Sequence, residues 1–285
     1  MPEGDTLWRT ARRLHRALAG EPLVLSDLRW ASVATVDLVG MTTTEVVARG
    51  KHVLHRLDSG LTVHSHLRME GQWRIASSGT DTERGQRNPD LRAAIGTNEW
   101  TALGLRLGML DVVATSDEAG LVGHLGPDVL GPDWDGPMAV ANLAARDGFI
   151  GDALLDQRNL AGVGTYWASE ALFVERILPW TTTRDLGTRV EDVVARVKRM
   201  MERGKENAIQ SSTGDLRAGH ESFVHGRSGR PCRRCGDTIR VAMTGAAPRE
   251  RTLFSCPTCQ GGLAPTDDGR RQAPLGSSNR SPKRR

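Results

Sequence analysis

The amino-terminal part of the chain opens with a helical pattern and continues with short strand-like runs. Apolar positions recur at helical spacing over residues 7–19, and a Gly-Glu-Pro turn at 20–22 ends the pattern. From residue 23 to about 75 the apolar runs are short, rich in Val, Thr and Trp, and broken by Gly and Ser, which is typical of β-strands. Residues 77–98 begin polar and turn-rich and are predicted to be a loop, and residues 99–114 return to strand.

The pattern becomes helical after Gly126-Pro127. Helices are predicted over residues 138–147, 151–156, 163–175 and about 188–206. A strand-rich half followed by a helical half predicts separate β and α domains. An irregular link at 207–231 leads to a cysteine-containing segment at 232–260. Residues 261–285 hold almost nothing to bury, so we expect them to be disordered.

Composition and charge narrow the class of protein. The chain has 285 residues, which is enough for two domains with their own cores. It has no apolar run long enough to span a membrane and no secretory signal, so we expect a cytoplasmic protein. Arginines concentrate at 227–240 and 279–285. Because the planar guanidinium suits phosphate oxygens, this favours a nucleic-acid partner, although charge alone equally allows a solubilising surface.

Four cysteines form two CxxC pairs in the pattern C-x2-C-x20-C-x2-C. Two such pairs place four thiolates at the corners of a tetrahedron, which is the geometry of a structural zinc site. All four would be ligands, which disfavours a redox role and leaves no position for a catalytic water. The hairpin between the pairs could present Arg251, five residues before the third cysteine. The predicted zinc ligands are Cys232, Cys235, Cys256 and Cys259.

The chain begins Met-Pro-Glu-Gly-Asp-Thr, which raises the possibility of a reactive amino terminus. Removal of Met1 would leave Pro2 with a free secondary amine. An α-amino group has a pKa of about 8, so part of it is neutral at pH 7 and can form a Schiff base. Glu3 could then transfer protons. The alternative is that this segment merely precedes a helix whose N-cap is Asp5 or Thr6, and from this stretch alone the alternative is the stronger interpretation.

Several segments taken together favour the reactive amino terminus instead, because they occur in one order between residue 2 and about residue 260. They are MPEGDT, RGKHVLHRL, LTVHSHLRMEGQWRI, HLGPDVL, LLDQRNLAGVGTYWASEALF and the four-cysteine hairpin. In this the chain resembles the formamidopyrimidine-DNA glycosylase / endonuclease VIII family of DNA repair enzymes. Such enzymes excise oxidised bases and then cut the strand. The GDT that follows Pro-Glu is more similar to the endonuclease VIII branch, which prefers oxidised pyrimidines.

The resemblance implies an α+β multidomain fold with four parts. These are an N-terminal catalytic β-sandwich at 2–115, a helix-two-turn-helix domain at 126–215, a zinc finger at 222–260 and a disordered basic tail at 261–285. It also implies one structural zinc ion, damaged DNA as the partner, no membrane association, and a monomer in the cytoplasm that associates with the nucleoid.

Four catalytic residues follow from the resemblance. Pro2 would attack C1′ of the damaged nucleotide, and Glu3 would donate and accept protons at the sugar. Lys51 would lie by the phosphate and assist β-elimination, while Arg251 would reach the lesion phosphate from the zinc hairpin and assist δ-elimination. The chemistry is consistent, since an iminium at C1′ acidifies the C2′ proton and cations stabilise departing phosphates.

The resemblance also implies DNA contacts. Arg68 and Met69 occupy the positions of a loop that fills the space left by a flipped base. Taken alone, Met69 would more often be a core methionine, and Lys51 and Arg251 ordinary surface cations. The Gly-rich turn before the predicted helix at 163–175 could bind phosphate, or could be a simple helix–helix turn. The implied DNA-binding residues are Arg68, Met69, Arg106, His124, Asn159 and Thr165. For His124, a structural histidine with satisfied hydrogen bonds is an equal alternative.

Three positions depart from the family pattern. Thr165 replaces the Asn of GVGN, and a hydroxyl does not reproduce the geometry of an amide. In the segment LRLG, Arg106 is kept but Leu107 replaces an aromatic wedge, so opposite-base and duplex preferences are open. His225 replaces the Tyr of VYGR. None of these changes touches the four catalytic residues.

Two other functions are compatible with parts of the sequence. One is a non-catalytic, zinc-dependent nucleic-acid-binding protein, which would have no use for Pro2-Glu3 together with Lys51. The other is an AP lyase that has lost most base excision, which would keep the same residues. The sequence predicts a bifunctional DNA glycosylase / AP lyase ahead of both.

Overall fold

The computed structural model describes residues 2–270 and 272–274. The chain divides into two compact units. The first comprises the residues up to Asp135 together with Leu160–Gly162, and the second comprises Gly136–Asn159 and the residues from Val163 onward. Among the described residues, no helix combines the length and the apolar content that crossing a membrane requires.

The first unit begins with helix α1, Gly4–Leu18. Its buried apolar side chains, Leu7, Ala11, Leu14 and Leu18, recur at intervals of three to four residues and form a single face. The predicted helix at 7–19 is therefore confirmed, and it begins three residues earlier than the sequence pattern indicated.

Two antiparallel four-stranded sheets complete the first unit. One has the order β1-β6-β7-β5 and the other the order β2-β3-β4-β8. The strands are β1 Leu25–Leu28, β2 Thr43–Arg49, β3 His52–Leu57, β4 Leu61–His66, β5 Gln72–Ser77, β6 Leu91–Gly96, β7 Trp100–Leu105 and β8 Met109–Ala114. Apolar residues of α1 and of both sheets form one buried cluster, so the sheets share a core as in a sandwich.

The predicted loop at 77–98 is wrong, because it contains helix α2, Thr80–Gln86, and strand β6. Strand β6 has the sequence LRAAIG and lies inside its sheet, between β1 and β7. Leu91 and Ala93–Gly96 are all buried, so the strand lacks the alternation of a half-exposed strand. Its two alanines also have weak intrinsic preference for β-structure. A short helix α3, Glu118–Val122, follows β8.

Helices predominate in the second unit between Gly136 and Gly204, as predicted. They are α4 Gly136–Ala144, α5 Ile150–Leu155, α6 Thr165–Val174, α7 Thr183–Leu186 and α8 Arg189–Gly204. Helix α6 is buried on all sides from Thr165 to Phe173, so it forms the centre of this unit. The amphipathic helix α8 packs against both α4 and α6.

The carboxyl-terminal part of the second unit is an antiparallel hairpin of β9, Arg240–Thr244, and β10, Arg251–Ser255, followed by the short helix α9, Pro257–Gln260. A small apolar cluster lies beneath it and includes Phe173, Ile239 and Phe254.

Disorder was expected from residue 261 onward, and this is wrong for residues 261–270 and 272–274. Arg240 forms an ion pair with Asp267, and the side chains of both are almost fully buried. The side chain of Gln272 bonds to the backbone of Val241. Composition could not reveal these contacts, because they depend on single polar side chains that meet the hairpin. The rest of the predicted basic tail, residues 271 and 275–285, lies outside the described residues.

Candidate active site and nucleic-acid interface

The amino terminus is anchored inside the first unit. Pro2 is half-buried, and Glu3 is fully buried with 0% exposure. Glu3 is the N-cap residue of α1, and its carbonyl accepts the backbone N–H of Thr6 at 2.8 Å. The alternative of an N-cap at Asp5 or Thr6 is therefore wrong. The backbone N–H of Gly4 donates to the carbonyl of Gly162 at 2.8 Å, which fixes the direction in which the terminus leaves the helix.

Lys51 lies in a two-residue turn, Gly50-Lys51, that joins β2 to β3. Gly50 has φ of +57°, a left-handed conformation that glycine adopts without strain. Its N–H donates to Oδ2 of Asp128 at 2.7 Å. Burial raises the pKa of the Asp128 carboxyl, while this bond and a second one from a backbone N–H oppose the increase. The turn that carries Lys51 is thus held at its backbone.

One short segment, Ala161-Gly162, contacts both the amino terminus and the Lys51 turn. Gly162 accepts the bond from Gly4 described above, and a Cβ placed on Gly50 would lie only 3.2 Å from the Cβ of Ala161. Both contacts lie within the first unit. The structure therefore brings the backbone segments of the predicted nucleophile, the acid and Lys51 to a common support.

The loop between β4 and β5 carries Arg68 and Met69 at the surface. Met69 is 67% exposed, so the core-methionine interpretation is wrong. Arg68 has φ of +50°, which turns the chain sharply after β4. Arg106 is also exposed, and it donates to Asp90 at 2.7 Å and to Glu70 at 3.4 Å. The side chain of Glu70 therefore joins the Arg106 loop to the Met69 loop.

Leu107 does not take the place of the missing aromatic wedge. Its side chain is buried in the core of the first unit, with 4% exposure. The adjacent Arg106 remains at the surface with φ of +50°. Met69 is thus the large apolar side chain that this region exposes among the described residues.

Three histidines and an aspartate form a cluster that the sequence analysis missed. Nδ1 of His52 lies 2.8 Å from Nε2 of His64, and Nδ1 of His64 lies 3.1 Å from Oδ2 of Asp111. The rings of His52 and His66 meet edge to face, with centroids 4.9 Å apart. Burial lowers the pKa of His52 to about 3 and that of His66 to about 4. The available signal was the histidine at alternate positions of VHSH in β4.

His124 is exposed on the segment that leads to Asp128, and its charge would contribute to lowering the pKa of the His52 imidazole. The contact of His124 with phosphate stays a prediction.

In the second unit, Thr165 is the first residue of α6 and Gly164 is its N-cap. The dipole of a helix favours an anion at its N-terminus in general. The Thr165 side chain itself is buried, with 4% exposure.

Asn159 differs from its predicted role. The side chain is buried, its Nδ2 donates to the carbonyl of Ala153 at 2.9 Å, and its Oδ1 accepts from Nε of Arg146 at 2.9 Å. Burial and these two bonds favour a structural role over the predicted direct contact with DNA.

The four cysteine thiols converge as the spacing predicted. All four Sγ atoms lie within 4.8 Å of one another. Zinc–sulfur bonds of about 2.3 Å in a tetrahedron require sulfur–sulfur distances of about 3.8 Å. The Cys232–Cys259 and Cys235–Cys256 distances are 3.9 and 3.4 Å. The donor set and its spacing therefore fit a tetrahedral thiolate-binding metal ion.

Arg251 begins β10 at the loop end of the same hairpin, opposite Thr244, and is exposed. Its Nη1 donates to the carbonyls of Arg249 and Glu250 at 3.2 and 3.1 Å, so the guanidinium curls over its own turn.

His225 occupies an aromatic position in front of this hairpin. Its ring packs edge-on against Tyr166 and Phe254, and burial lowers its pKa to about 4, so it is a neutral ring at pH 7. Its backbone N–H donates at 2.7 Å to the fully buried carboxyl of Glu170, which also accepts the N–H of Val224. Burial raises the pKa of Glu170, and these bonds oppose the increase. Helix α6 thereby positions the segment that leads into the cysteine hairpin.

Comparison with known proteins identifies the family. Residues 1–107 match the formamidopyrimidine-DNA glycosylase N-terminal domain, and residues 125–215 match the formamidopyrimidine-DNA glycosylase H2TH domain. The chain is 48% identical to a probable endonuclease 8 2 of Streptomyces coelicolor, over 95% of this chain and 98% of that protein. It is 41% identical to the DNA-(apurinic or apyrimidinic site) lyase Nei2 of Mycolicibacterium smegmatis, over 91% of this chain and 99% of that one.

Solved structures agree on the fold. A complex of Lactococcus lactis Fpg with DNA containing N7-benzyl-Fapy-dG superimposes with a TM-score of 0.76 at 22% identity, covering 91% of this chain and all of that chain. These matches define the class as DNA glycosylases with AP lyase activity, which act in base excision repair. The chain belongs to the formamidopyrimidine-DNA glycosylase family, and the relatives named above are endonuclease 8 and Nei2 proteins.

Proposed function

We propose that this protein removes oxidised bases, with a preference for pyrimidines, through a Schiff base on the amine of Pro2, and then cleaves the strand by β,δ-elimination. The observation that carries the proposal is the fully buried Glu3 next to Pro2, on a terminus anchored to the segment that also supports Lys51. Carboxyl groups are almost never fully buried at a chain end without a reason in structure or chemistry.

The first step joins the amine to the sugar. The neutral amine of Pro2 attacks C1′, the bond from C1′ to the base breaks, and the base leaves with a proton. Opening of the sugar ring gives an iminium between the proline nitrogen and C1′. Glu3 donates a proton to the sugar oxygen in that opening, because its carboxyl is held beside the reacting nitrogen and away from water.

The second stage cleaves the strand. The iminium makes the C2′ proton acidic, its removal expels the 3′ phosphate, and a further elimination expels the 5′ phosphate. Lys51, on its fixed turn, is suited to stabilise the first departing phosphate, and Arg251 to stabilise the second. The Arg251 guanidinium would have to exchange its bonds to Arg249 and Glu250 for the phosphate.

A zinc ion bound by the four cysteines would hold the β9–β10 hairpin and would supply no chemistry, because all four positions are taken by protein ligands. In the second unit, Thr165 stands in place of the family's Asn at the N-terminus of α6, where the helix dipole would favour a phosphate. The protein would act as a monomer on damaged DNA of the nucleoid.

Borohydride trapping tests the proposal. The protein is incubated with a duplex containing thymine glycol, or with one containing an abasic site, and the iminium is reduced to a stable bond. We expect covalent adducts with both duplexes, and mass spectrometry should place the adduct on the tryptic peptide Pro2–Arg9. Protein that retains Met1, whose Pro2 nitrogen is an amide, is the control and should not be trapped there. An adduct on Lys51, or no adduct on either duplex, would contradict the proposal.

Met69 provides a separate prediction about base flipping. Met69→Ala should slow excision from duplex DNA by about tenfold, because filling the hole in the stack offsets an unstacking cost of a few kcal/mol. The side chain is mostly exposed, so the melting temperature should hardly change. Excision rates on duplex and single-stranded substrates are to be compared, with Met138→Ala as the control because Met138 is also exposed. Equal slowing on both substrates would exclude a stack-filling role.

A further inference from the structure

The histidine cluster crosses three neighbouring strands of one sheet. His52 on β3 pairs with His66 on β4, and His64 on β4 pairs with Asp111 on β8. Since side chains two residues apart on a strand share a face, His64 and His66 point to the same side of the sheet. The rings of His52 and His64 are stacked, with centroids 5.1 Å apart. The cluster is a continuous polar row that begins at the end of the Lys51 turn.

The hydrogen bonds indicate where the protons of His64 and His52 lie. The Asp111 carboxylate can only accept, so Nδ1 of His64 donates to it. With that proton on Nδ1, Nε2 of His64 can accept the Nδ1–H of His52 at 2.8 Å. A neutral His52 ring agrees with its pKa, which burial lowers to about 3. The orientation of His52 is thereby set from Asp111, two strands away.

The histidine cluster also contacts the loop between β4 and β5, which carries Arg68 and Met69. The backbone N–H of Arg68 donates to Nδ1 of His66 at 2.9 Å, so His66 holds the start of the loop that presents Met69. The edge-to-face contact between His66 and His52 then connects that loop to the Lys51 turn. Two loops from different strand connections are therefore supported by one set of rings.

The charged residues next to the histidine cluster explain why uncharged imidazoles are favoured there. Lys51, Arg68 and His124 all face the cluster, and Asp111 is its carboxylate. A charged imidazole here would repel the two cations that the proposed function assigns to DNA. Neutral imidazoles provide rigid, hydrogen-bonded support without that repulsion.

We propose that His52, held by His64 and Asp111, is a positioning residue that orients Lys51 and couples the Lys51 turn to the Arg68–Met69 loop. The proposal rests on the roles assigned to Lys51 and Met69 above. It adds residues that contact neither the sugar nor the base and that act through the geometry of these two loops.

Paired substitutions at His52 test it. His52→Leu removes the donor to His64, whereas His52→Asn keeps an N–H at the position of Nδ1. His52→Leu should slow single-turnover cleavage of a preformed abasic site by about tenfold or more, since small misplacements of a catalytic group can cost up to about a hundredfold. His52→Asn should stay within about threefold of the unchanged protein. Borohydride trapping, which depends on Pro2, should change little in either variant.

A control and a double variant separate positioning from general destabilisation. His55 lies on the same strand, is buried and bonds to Thr43 at 2.7 Å, outside the cluster. His55→Leu loses a comparable hydrogen bond and should leave cleavage by the folded protein unchanged. Lys51→Ala combined with His52→Leu should be no slower than Lys51→Ala alone, because the effect of His52 passes through Lys51.

Nitrogen NMR of the imidazoles gives a readout that does not involve activity. At pH 7 the protein should show His52 as a neutral ring protonated at Nδ1, and His64 with a proton on Nδ1 that is bonded to Asp111. A His64 ring protonated at Nε2 would overturn the inference. Unchanged cleavage by the His52→Leu variant, in an assay in which Lys51→Ala cleaves slowly, would also overturn the inference. If Lys51→Ala also cleaves normally while trapping at Pro2 persists, the role of Lys51 fails and the inference fails with it, but the Schiff-base function stands.

Discussion

Glu3→Gln is expected to reduce excision of an oxidised base by at least about a hundredfold, since general acid–base catalysis contributes about 10²–10⁴. It should leave cleavage at a preformed abasic site within about tenfold of the unchanged protein. Excision requires a proton at the sugar oxygen while the base departs. The abasic site already has an aldehyde in equilibrium with its closed form, so Pro2 can attack it without that assistance. Single-turnover assays on the two duplexes measure both rates.

Asp5→Asn is the matched control for Glu3→Gln. Asp5 is the other fully buried carboxyl of the same segment, and its Oδ2 accepts from Arg9 at 3.1 Å. Each substitution replaces one fully buried carboxyl by an amide of the same size, so the two should affect the melting temperature comparably. Only Glu3→Gln should separate excision from lyase activity. An equal loss of both activities in Glu3→Gln, or a similar separation in Asp5→Asn, would contradict the role of Glu3.

Cys256→Ser should abolish zinc binding and unfold the β9–β10 hairpin. Structural zinc contributes an apparent ~10–16 kcal/mol in small zinc modules, far more than the few buried apolar residues near the hairpin can replace. Cys256 is fully buried and belongs to that apolar cluster. We expect about one zinc per chain by elemental analysis in the unchanged protein and none in the variant. DNA affinity and strand cleavage should fall together, because Arg251 loses its support.

Thr258→Val tests whether that effect belongs to the metal. Thr258 lies between Cys256 and Cys259, and its hydroxyl donates to Asp237 at 2.7 Å at the surface. The variant loses this bond and keeps all four thiols, so its zinc content should be unchanged. If Cys256→Ser instead retained the hairpin, as measured by resistance to proteolysis between β9 and β10, the structural role of the metal would be excluded.

The pattern of apolar residues along the chain predicted helices in which one face is buried, such as α1 and α8. The apolar face of α1 and the amphipathic face of α8 are visible along the chain. Strand β6 was missed because an interior strand that is buried on both faces shows no alternation, and its short apolar run stands beside turn residues. The contacts of residues 261–274 were missed for a different reason. A polar segment can be fixed by one ion pair, such as Asp267 with Arg240, that leaves no trace in composition.

The order of the motifs along the chain predicted the catalytic residues of the candidate site better than the chemistry of each residue taken alone. Pro2 and Lys51 were each ordinary when taken alone, and the order of the motifs identified them. The cysteines were predicted from their spacing alone. The structure then added hydrogen-bond partners that motif position could not show. Asn159 is buried, and both ends of its side-chain amide are bonded within its own unit. The histidine cluster depends on which residues pair across neighbouring strands, and a single sequence does not specify this register.

The side chain of Gln272 covers part of the exposed edge of the β9–β10 hairpin. Its amide accepts the backbone N–H of Val241 at 2.9 Å and donates to the carbonyl of the same residue at 3.0 Å, as a further strand would. A two-stranded sheet otherwise offers such groups to any passing strand, and exposed edges template association between chains. Gln272, beyond the last cysteine, thus occupies the outer edge of β9 at Val241, where another chain would otherwise pair.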